Sequence, residues 1–382
     1  MGFHEFSSPY DWSRIAAYKR TAKAAFGGMI DLSVGSPVDP VPDSVRKALA
    51  VAANDPNAYG YPATAGTADL RAAIAEWFSA ARNVDLQAIH ADVVPTVGSK
   101  EGVALMASLL HFGEDDVVVQ PKVSYPTYEI GTQLAGAQVL KVDDVADVAS
   151  WRNVPGVKAV WVNSPCNPTG EVHSAERMAG IVAAVREIGA VVLSDECYAL
   201  MQWRGATNSA DDDPLQSTPC ALRSDVCAGS AEGVLVLYSL SKQSNMAGYR
   251  TAFIAGDESL IASMSAYRKQ IGQIIPGPVQ AAMAAGLRDL ESVKVQHARY
   301  RERLGVLVSA LRAYGYCTDM PDGALYVWVR AKSGDCWTDM EQLAKIGIIA
   351  SPGEFYGAPE CLRFSATASD EAIASAAERL AR

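Results

Sequence analysis

Three polar clusters carry side chains suited to chemistry, and each directly follows a short apolar run. Val157–Val162 leads into Asn163-Ser-Pro-Cys-Asn167-Pro-Thr-Gly170. Ala190–Leu193 leads into Ser194-Asp195-Glu-Cys-Tyr198. Val234–Tyr238 leads into Ser239-Leu-Ser241-Lys242, with Arg250 eight residues further on. A lysine at a strand end over a cleft can be partly desolvated, so that its pKa falls and its amine attacks aldehydes. Taken alone, such a lysine is more often a solvated surface residue. Ser239-x-x-Lys242 also matches the S-x-x-K serine nucleophile of penicillin-binding proteins. That motif opens a helix and travels with SDN and KTG elements, and neither occurs in this chain. Asp195 alone is accounted for as a helix cap. Asn167-Pro before Thr-Gly is, alone, a turn signal. Three successive strand ends carrying Asn167, then Asp195 and Tyr198, then Lys242 form a combination that these separate readings do not explain.

The elements that would position these residues follow from periodicity. Val117–Gln120, Val157–Val162, Ala190–Leu193, Val234–Tyr238 and Thr251–Ala255 are short continuous apolar runs. Ser174–Gly189 has helical spacing, with Met178, Ile181, Val182, Val185 and Ile188 on one side. Continuous apolar strands separated by helices imply a mostly parallel sheet covered on both faces. In such sheets ligands bind beyond the carboxyl ends of the strands. Ala68–Ala81 and Lys100–Leu110 read as helices, the second entered through Pro95-Thr-Val-Gly98-Ser99. A helix N-terminus there would attract an anion. Pro278–Leu311 reads as helical, and Gly323–Val329, Ile346–Ala350 and Cys361–Phe364 as short strands. These imply a large domain over residues 46–274. A smaller α+β domain is built from residues 1–45 and 275–382. Arg204–Ser230, rich in Ser, Asp, Pro and Ala, reads as a long surface loop.

Composition narrows the function classes. The chain has 382 residues, 49% hydrophobic and 20% charged, with a net charge of −10. That apolar content excludes disorder as the main state. The acidic balance disfavours a nucleic-acid binder, which needs clustered Lys and Arg. No apolar run is long enough to span a membrane, and Met1-Gly-Phe-His-Glu-Phe6 lacks the features of a secretory signal. Seven dispersed cysteines without a CxxC pair point to a reducing cytoplasm. Five histidines without HExxH spacing give no support to a metal site.

Taken together, the strings VNSPCNPTG, LSDECYALM and YSLSKQSNMAGYRTAFIAG make the chain similar to the fold type I pyridoxal-phosphate enzymes. Within them it resembles the class I/II aminotransferases. The likeness runs from Asp31-Leu-Ser-Val-Gly-Ser-Pro37 to Leu362-Arg-Phe-Ser365. It implies a mostly parallel seven-stranded sheet sandwiched by helices, and the cofactor pyridoxal 5'-phosphate. Lys242 matches the Schiff-base lysine, which also moves the proton between the substrate α-carbon and the cofactor. Asp195 matches the carboxylate that keeps the ring nitrogen protonated. Asn167 and Tyr198 match the pair bonded to the ring's phenolic oxygen, and Tyr125 the aromatic stacked on the ring. Gly98, Ser99, Lys100, Ser239, Ser241 and Arg250 match the phosphate ligands. Tyr61 matches a tyrosine lent across a homodimer to the neighbour's phosphate. Arg363 and Gly35 match the residues that hold the substrate α-carboxylate, where an arginine fork fits.

Several segments look most similar to the bacterial succinyldiaminopimelate aminotransferases of lysine biosynthesis, the DapC type. They are Asp31–Pro40, Gly60–Ala68, Ser241–Arg250 and Ala350–Gly357. The implied reaction moves an amino group between N-succinyl-LL-2,6-diaminopimelate and 2-oxoglutarate, with ping-pong kinetics. Lys19, Arg20, Lys23, Arg268 and Lys269 are candidates for the additional carboxylates of such substrates. The alternatives are an aromatic, alanine or branched-chain aminotransferase, or a pyridoxal-phosphate C–S β-lyase. A cofactor-binding regulator would need a DNA-binding domain, for which there is no room before Gly35.

Overall fold

The computed structural model describes residues 10–203 and 218–382. Twelve strands form among the described residues: β1 (Ile30–Asp31), β2 (Ala91–Val97), β3 (Val117–Pro121), β4 (Gln138–Val142), β5 (Val157–Asn163) and β6 (Val191–Asp195), then β7 (Val234–Ser239), β8 (Thr251–Asp257), β9 (Tyr326–Arg330), β10 (Ile348–Ile349), β11 (Ser351–Pro352) and β12 (Cys361–Ser365). Seven make one sheet in the order β2-β8-β7-β6-β5-β3-β4. The apolar runs read from the sequence supply β3, β5, β6, β7 and β8. Helices flank them, so buried strands need no polar face.

Strand β8 runs antiparallel to both its neighbours. An apolar run carries no direction, but the connection does. Residues 240–250 are too few for the crossover that a parallel pair requires. The edge strands β2 and β4 leave a weak sequence signal. Pro95 interrupts β2, and proline is tolerated on edge strands. Strand β4 is largely exposed and carries Lys141.

The helix Ala68–Arg82 starts where the Thr67 hydroxyl accepts the Leu70 N–H at 3.2 Å. It buries Leu70, Ile74, Trp77 and Phe78. Trp77 packs 4.2 Å, centroid to centroid, from Tyr238 of β7. The helical run at 278–311 is two helices, Gly277–Arg288 and Leu290–Ala313. Asp289 breaks it, because its carboxylate caps the second helix by accepting from Ser292 N–H.

A second apolar core gathers both ends of the chain. Ile15, Ile30 and Leu32 pack with Leu304, Leu343 and Phe364. A three-stranded antiparallel sheet, β11-β12-β9, and the parallel pair β1-β10 frame it. Tyr198, Met201 and Trp203, from the segment after β6, join this core and so link it to the large sheet.

The segment expected to be a surface loop is otherwise where it is described. Residues 204–217 lie outside the described residues. Beyond them Thr218, Cys220, Ala221 and Leu222 are buried, and Ser224–Cys227 forms a helical turn. A buried ion pair holds this stretch. The Arg82 guanidinium donates to Glu196 at 2.8 Å and to the carbonyls of Thr218 and Pro219 at 3.1 and 3.0 Å. The Glu196 carboxylate also accepts from Ala221 N–H at 2.8 Å and from the Ser194 hydroxyl at 3.0 Å. Small polar residues look solvated in a sequence window, and the partner that buries them lies far away at Arg82.

Among the described residues no helix is long and apolar enough to cross a membrane, and no group of three or more His, Cys, Asp or Glu could hold a metal ion. All seven cysteines are free.

Removing one member of a buried pair leaves the other charge uncompensated. Arg82→Met is therefore expected to lower unfolding stability by about 3–5 kcal/mol, read as a reduced denaturant midpoint. An unchanged midpoint contradicts the assignment.

Candidate active site

The carboxyl ends of β5, β6 and β7 open into a cavity of about 270 Å³. Its opposite wall comes from residues 34–36 and from the second core, through Tyr326, Tyr356 and Arg363. Each polar residue is aimed into it by the strand or turn that carries it.

Asp195 ends β6 and is buried. The Tyr128 hydroxyl donates to its carboxylate at 2.7 Å, and the Cys197 N–H at 3.1 Å. Burial pushes the Asp195 pKa up, and these neutral donors do not cancel it. Tyr128 is itself fixed by stacking on Trp161, with centroids 4.4 Å apart. No cation pairs with Asp195 among the described residues, so the site holds a carboxylate awaiting a positive partner.

Asn163 ends β5 and organises the loop that follows. Its amide N–H donates to the Asp195 carbonyl at 2.8 Å, and its oxygen accepts the Asn167 N–H at 2.8 Å. Asn167 then accepts from Arg363 at 2.6 Å. Arg363, on β12, also donates to the Ser33 carbonyl at 2.9 Å. Its guanidinium lies 3.9 Å from the Tyr326 ring centroid and 4.7 Å from that of Tyr356. Arg363 is buried, its Nε has no hydrogen-bond partner, and none of these neighbours is a carboxylate.

Lys242 follows β7 in the turn Leu240–Gln243. Its amine donates to the Gly35 carbonyl. Burial pushes its pKa down, with Arg363 and Arg250 adding repulsion that nearby Tyr326 and Cys197 only partly offset. Lowering the pKa makes the amine a readier nucleophile and base.

The fourth group forms an anion cradle. Gly98 caps the helix Ser99–Leu109, so backbone N–H groups face the cavity end where Ser99, Lys100, Ser239, Ser241 and Arg250 meet. Gly98 has φ +78° and ψ 156°, and a Cβ there would run into the Arg250 guanidinium. The Ser239 hydroxyl accepts Ser241 N–H at 3.1 Å and donates to Ser241 Oγ at 2.8 Å. Among the described residues Arg250 donates to backbone carbonyls alone, those of Ala247 at 2.9 Å and Val97 at 3.5 Å.

These residues fit pyridoxal phosphate. The cavity presents an unpaired carboxylate, a lysine amine and an anion cradle, the three features that a ligand with a basic ring nitrogen, an aldehyde and a phosphate requires. Tyr125 lines the same space. Tyr61 does not reach it and is fully exposed. Of the cations considered for further carboxylates, Lys19 pairs with Asp31 at 2.8 Å and Arg268 with Glu101 at 2.7 Å. Those two, together with Arg20, Lys23 and Lys269, lie outside the cavity lining.

Sequence reasoning missed Tyr128, Tyr326, Tyr356 and Cys197. Tyr128 left a trace, since it sits one helical turn after Tyr125. Tyr326 and Tyr356 left none, because tertiary packing of the second core brings them in. Tyr10 and Trp12, from the N-terminal segment, also line the mouth.

The family profile described as aminotransferase class I and II matches residues 27–380. The chain is 40% identical to 4-dedimethylamino-4-oxo-anhydrotetracycline transaminase OxyQ of Streptomyces rimosus, covering 97% of this chain and 98% of that one. It is 28% identical to the LL-diaminopimelate aminotransferase of Syntrophobacter fumaroxidans, covering 97% and 95%. The solved structure of an aminotransferase from Neisseria meningitidis superimposes with a TM-score of 0.83 at 26% identity, covering 98% of this chain and 96% of that one.

Two outcomes follow from the geometry. Gly98→Ala forces a side chain into a backbone region nearly exclusive to glycine, at a cost of about 1–3 kcal/mol, and against Arg250. Equilibrium dialysis should show pyridoxal phosphate bound roughly tenfold or more weakly; unchanged affinity contradicts the cradle. In cofactor-free protein, trapping of a small aldehyde on Lys242 should reach half its maximal rate below pH 10.5, the value for an unperturbed lysine. A midpoint at or above that value contradicts the desolvated amine.

Proposed function

The chain belongs to the aminotransferase class I and II family, and on that premise we propose that it exchanges an amino group between N-succinyl-LL-2,6-diaminopimelate and 2-oxoglutarate. Amino transfer with pyridoxal phosphate is the family's activity. The substrate pair and the residue roles below are the proposal.

Bound in the cavity, pyridoxal phosphate supplies an electron sink for charge that develops at the substrate α-carbon. The protein's part is to hold, orient and move protons. Asp195 stays ionised opposite the ring nitrogen, where a cation offsets the burial that otherwise raises its pKa. Asn167 and Tyr198 face the phenolic oxygen, and Tyr125 covers the ring. Gly98, Ser99, Lys100, Ser239, Ser241 and Arg250 hold the phosphate, in part through backbone N–H groups. Lys242 takes the proton from the substrate α-carbon and delivers it back on the other side of the exchange. Gly35 and Arg363 hold the α-carboxylate.

The observation that carries this reading is Arg363. A buried guanidinium with an orphaned Nε and only neutral acceptors is costly unless a carboxylate completes it. The Lys100 side chain supports a diacid substrate, its part in the phosphate cradle being that of its backbone N–H. It lines the cavity 5.7 Å from the Tyr10 ring centroid, and no carboxylate pairs with it among the described residues. The likeness to LL-diaminopimelate aminotransferases supports the diaminopimelate skeleton. The likeness to OxyQ supports a different acceptor, the bulky ketone of that enzyme's name.

Full exposure of Tyr61, beside exposed Tyr59, supports its loan to a second copy in a homodimer. Two apolar cores support a cofactor-holding unit and a unit that closes on it, but not bounds of 46–274 against 1–45 with 275–382, since Ile275, Met283, Leu287 and Val293 pack in the first core and Tyr198, Met201 and Trp203 in the second.

An amino-donor panel with 2-oxoglutarate, read as glutamate formed, should rank succinyldiaminopimelate first. Faster aromatic, alanine or branched-chain donors would reassign the substrate. Pyruvate and ammonia released from cysteine-like donors without an oxo acid would indicate the lyase. Arg363→Lys keeps the charge and loses the fork. It should raise KM for both the amino and the oxo substrate by roughly 10–100-fold, the loss of one or two charge-assisted hydrogen bonds. A KM within twofold of the parent contradicts the carboxylate role.

A further inference from the structure

We propose that Tyr326 is a positioning residue that couples the carboxylate arginine to the cofactor-facing tyrosine, its hydroxyl donating to Tyr198 and its ring carrying Arg363. The inference rests on the roles proposed above for Tyr198, Lys242 and Arg363.

Tyr326 opens β9 and pairs with Ser365 of β12, the strand that carries Arg363. It therefore belongs to the second core, yet its hydroxyl lies 2.6 Å from that of Tyr198, which follows β6 of the large sheet. The two rings meet edge to face, at 5.6 Å and 72°. On its other side the Tyr326 ring lies under the Arg363 guanidinium, 3.9 Å from its centroid. The hydroxyl also packs against Gly35, so closely that a Cβ at that position would strike it. The carbonyl of the same Gly35 accepts the Lys242 amine. One side chain thus touches the residues assigned to the α-carboxylate and to the phenolic oxygen, and is one residue removed from the lysine.

The surroundings decide which hydroxyl donates. Lys242 and Arg363 face Tyr326 as cations, Tyr198 and the Cys197 thiol as neutral groups, and Tyr356 lies against the same guanidinium. Burial alone would raise the Tyr326 pKa, but the two cations outweigh it and bring it below that of an ordinary phenol. Burial and the neighbouring Tyr326 oxygen push Tyr198 the other way. The Arg363 guanidinium against its ring and the nearby Lys242 amine repel the Tyr326 hydroxyl hydrogen, which turns to the Tyr198 oxygen 2.6 Å away, so Tyr326 is the donor. The Tyr198 hydrogen is then free to point into the cavity. A hydroxyl that accepts one hydrogen bond donates a stronger one, so Tyr198 becomes a better donor to the cofactor's phenolic oxygen. A carboxylate on Arg363 would weaken the cationic pull on Tyr326 and so relax Tyr198. Carboxylate binding and the acid–base state of the cofactor are coupled through this phenol, beside the direct Arg363–Asn167 hydrogen bond.

The test is a pH titration of the visible cofactor band in the holoenzyme, with and without maleate as an unreactive dicarboxylate. Tyr326→Phe keeps the ring and removes the hydroxyl. Its midpoint should move up by roughly half to one pH unit, the worth of one hydrogen bond. The shift that maleate causes in the parent should shrink in this variant, while maleate affinity is largely kept. Tyr326→Leu removes the ring as well and should weaken maleate binding roughly tenfold. A merely structural tyrosine would leave the Phe midpoint where it was, and that result overturns the coupling. Should Tyr326→Phe lose the cofactor, fluorotyrosine at position 326, a more acidic phenol, should move the midpoint down, and no movement overturns the coupling equally. A parent enzyme without any visible band overturns the site assignment and this inference together. A parent band that responds to pH but ignores both replacements overturns the inference alone.

Discussion

A buried charge must find a partner or be held at a cost, and this molecule keeps three without one in a single cavity. Among the described residues Asp195 has only neutral donors, Arg363 only neutral acceptors, and Lys242 a backbone carbonyl. They cannot relieve one another, because separate elements hold them apart. The end of β6 fixes Asp195, the turn after β7 fixes Lys242, and β12 of the other core fixes Arg363. Side-chain alternation does the rest on β6. Asp195 turns to the cavity, and the next residue, Glu196, turns into the core to meet Arg82. The carboxylate that is paired by protein and the carboxylate left for a ligand are neighbours in the chain. A ligand with a cationic ring nitrogen for Asp195, an aldehyde for Lys242 and, after it, an amino acid carboxylate for Arg363 meets all three groups. That match makes the cofactor and the substrate carboxylate two parts of one electrostatic requirement.

The cofactor-facing half of the site was legible in the sequence because it is local. Asn167, Asp195, Tyr198, Lys242 and Arg250 sit within a few residues of apolar strands, and their spacing carries the resemblance. Of the other half, Arg363 and Gly35 were legible through the resemblance, and the tyrosines around them were not. Tyr326 and Tyr356 reach the cavity only through the packing of a core assembled from both chain ends. Tyr128 acts through Asp195, so only its helical spacing from Tyr125 hints at it. The same division holds for the fold. Buried strands announce themselves as apolar runs, while edge strands β2 and β4 do not. The direction of β8 is set by a short connection and not by its residues. Residues 218–222, Thr-Pro-Cys-Ala-Leu, read as loop because of the Ser- and Asp-rich stretch around them, and their burial against Arg82, more than a hundred positions earlier, and Glu196 has no local signal.

The net charge of −10 and the character of the cavity point in opposite directions. Lys100, Lys242, Arg250 and Arg363 converge on one small volume, and Asp195 is the acidic residue lining it. A local positive potential in a low-dielectric cleft gathers anionic ligands whatever the total charge. The same arrangement explains why family membership is easier to read than substrate. The cofactor's phosphate and ring nitrogen and the donor's α-carboxylate are the same for every amino acid donor of this chemistry. Only Lys100 and the aromatic mouth around Tyr10 and Trp12 are left to tell one side chain from another.

The central claim is that pyridoxal phosphate is held covalently by Lys242. Borohydride reduction of the purified holoprotein, followed by proteolysis and mass spectrometry, tests it most directly. The account predicts a reduced pyridoxyl group on the peptide containing Ser239-Leu-Ser-Lys242 and on no other lysine. A protein that takes up no cofactor mass, or carries it on a different lysine, contradicts it.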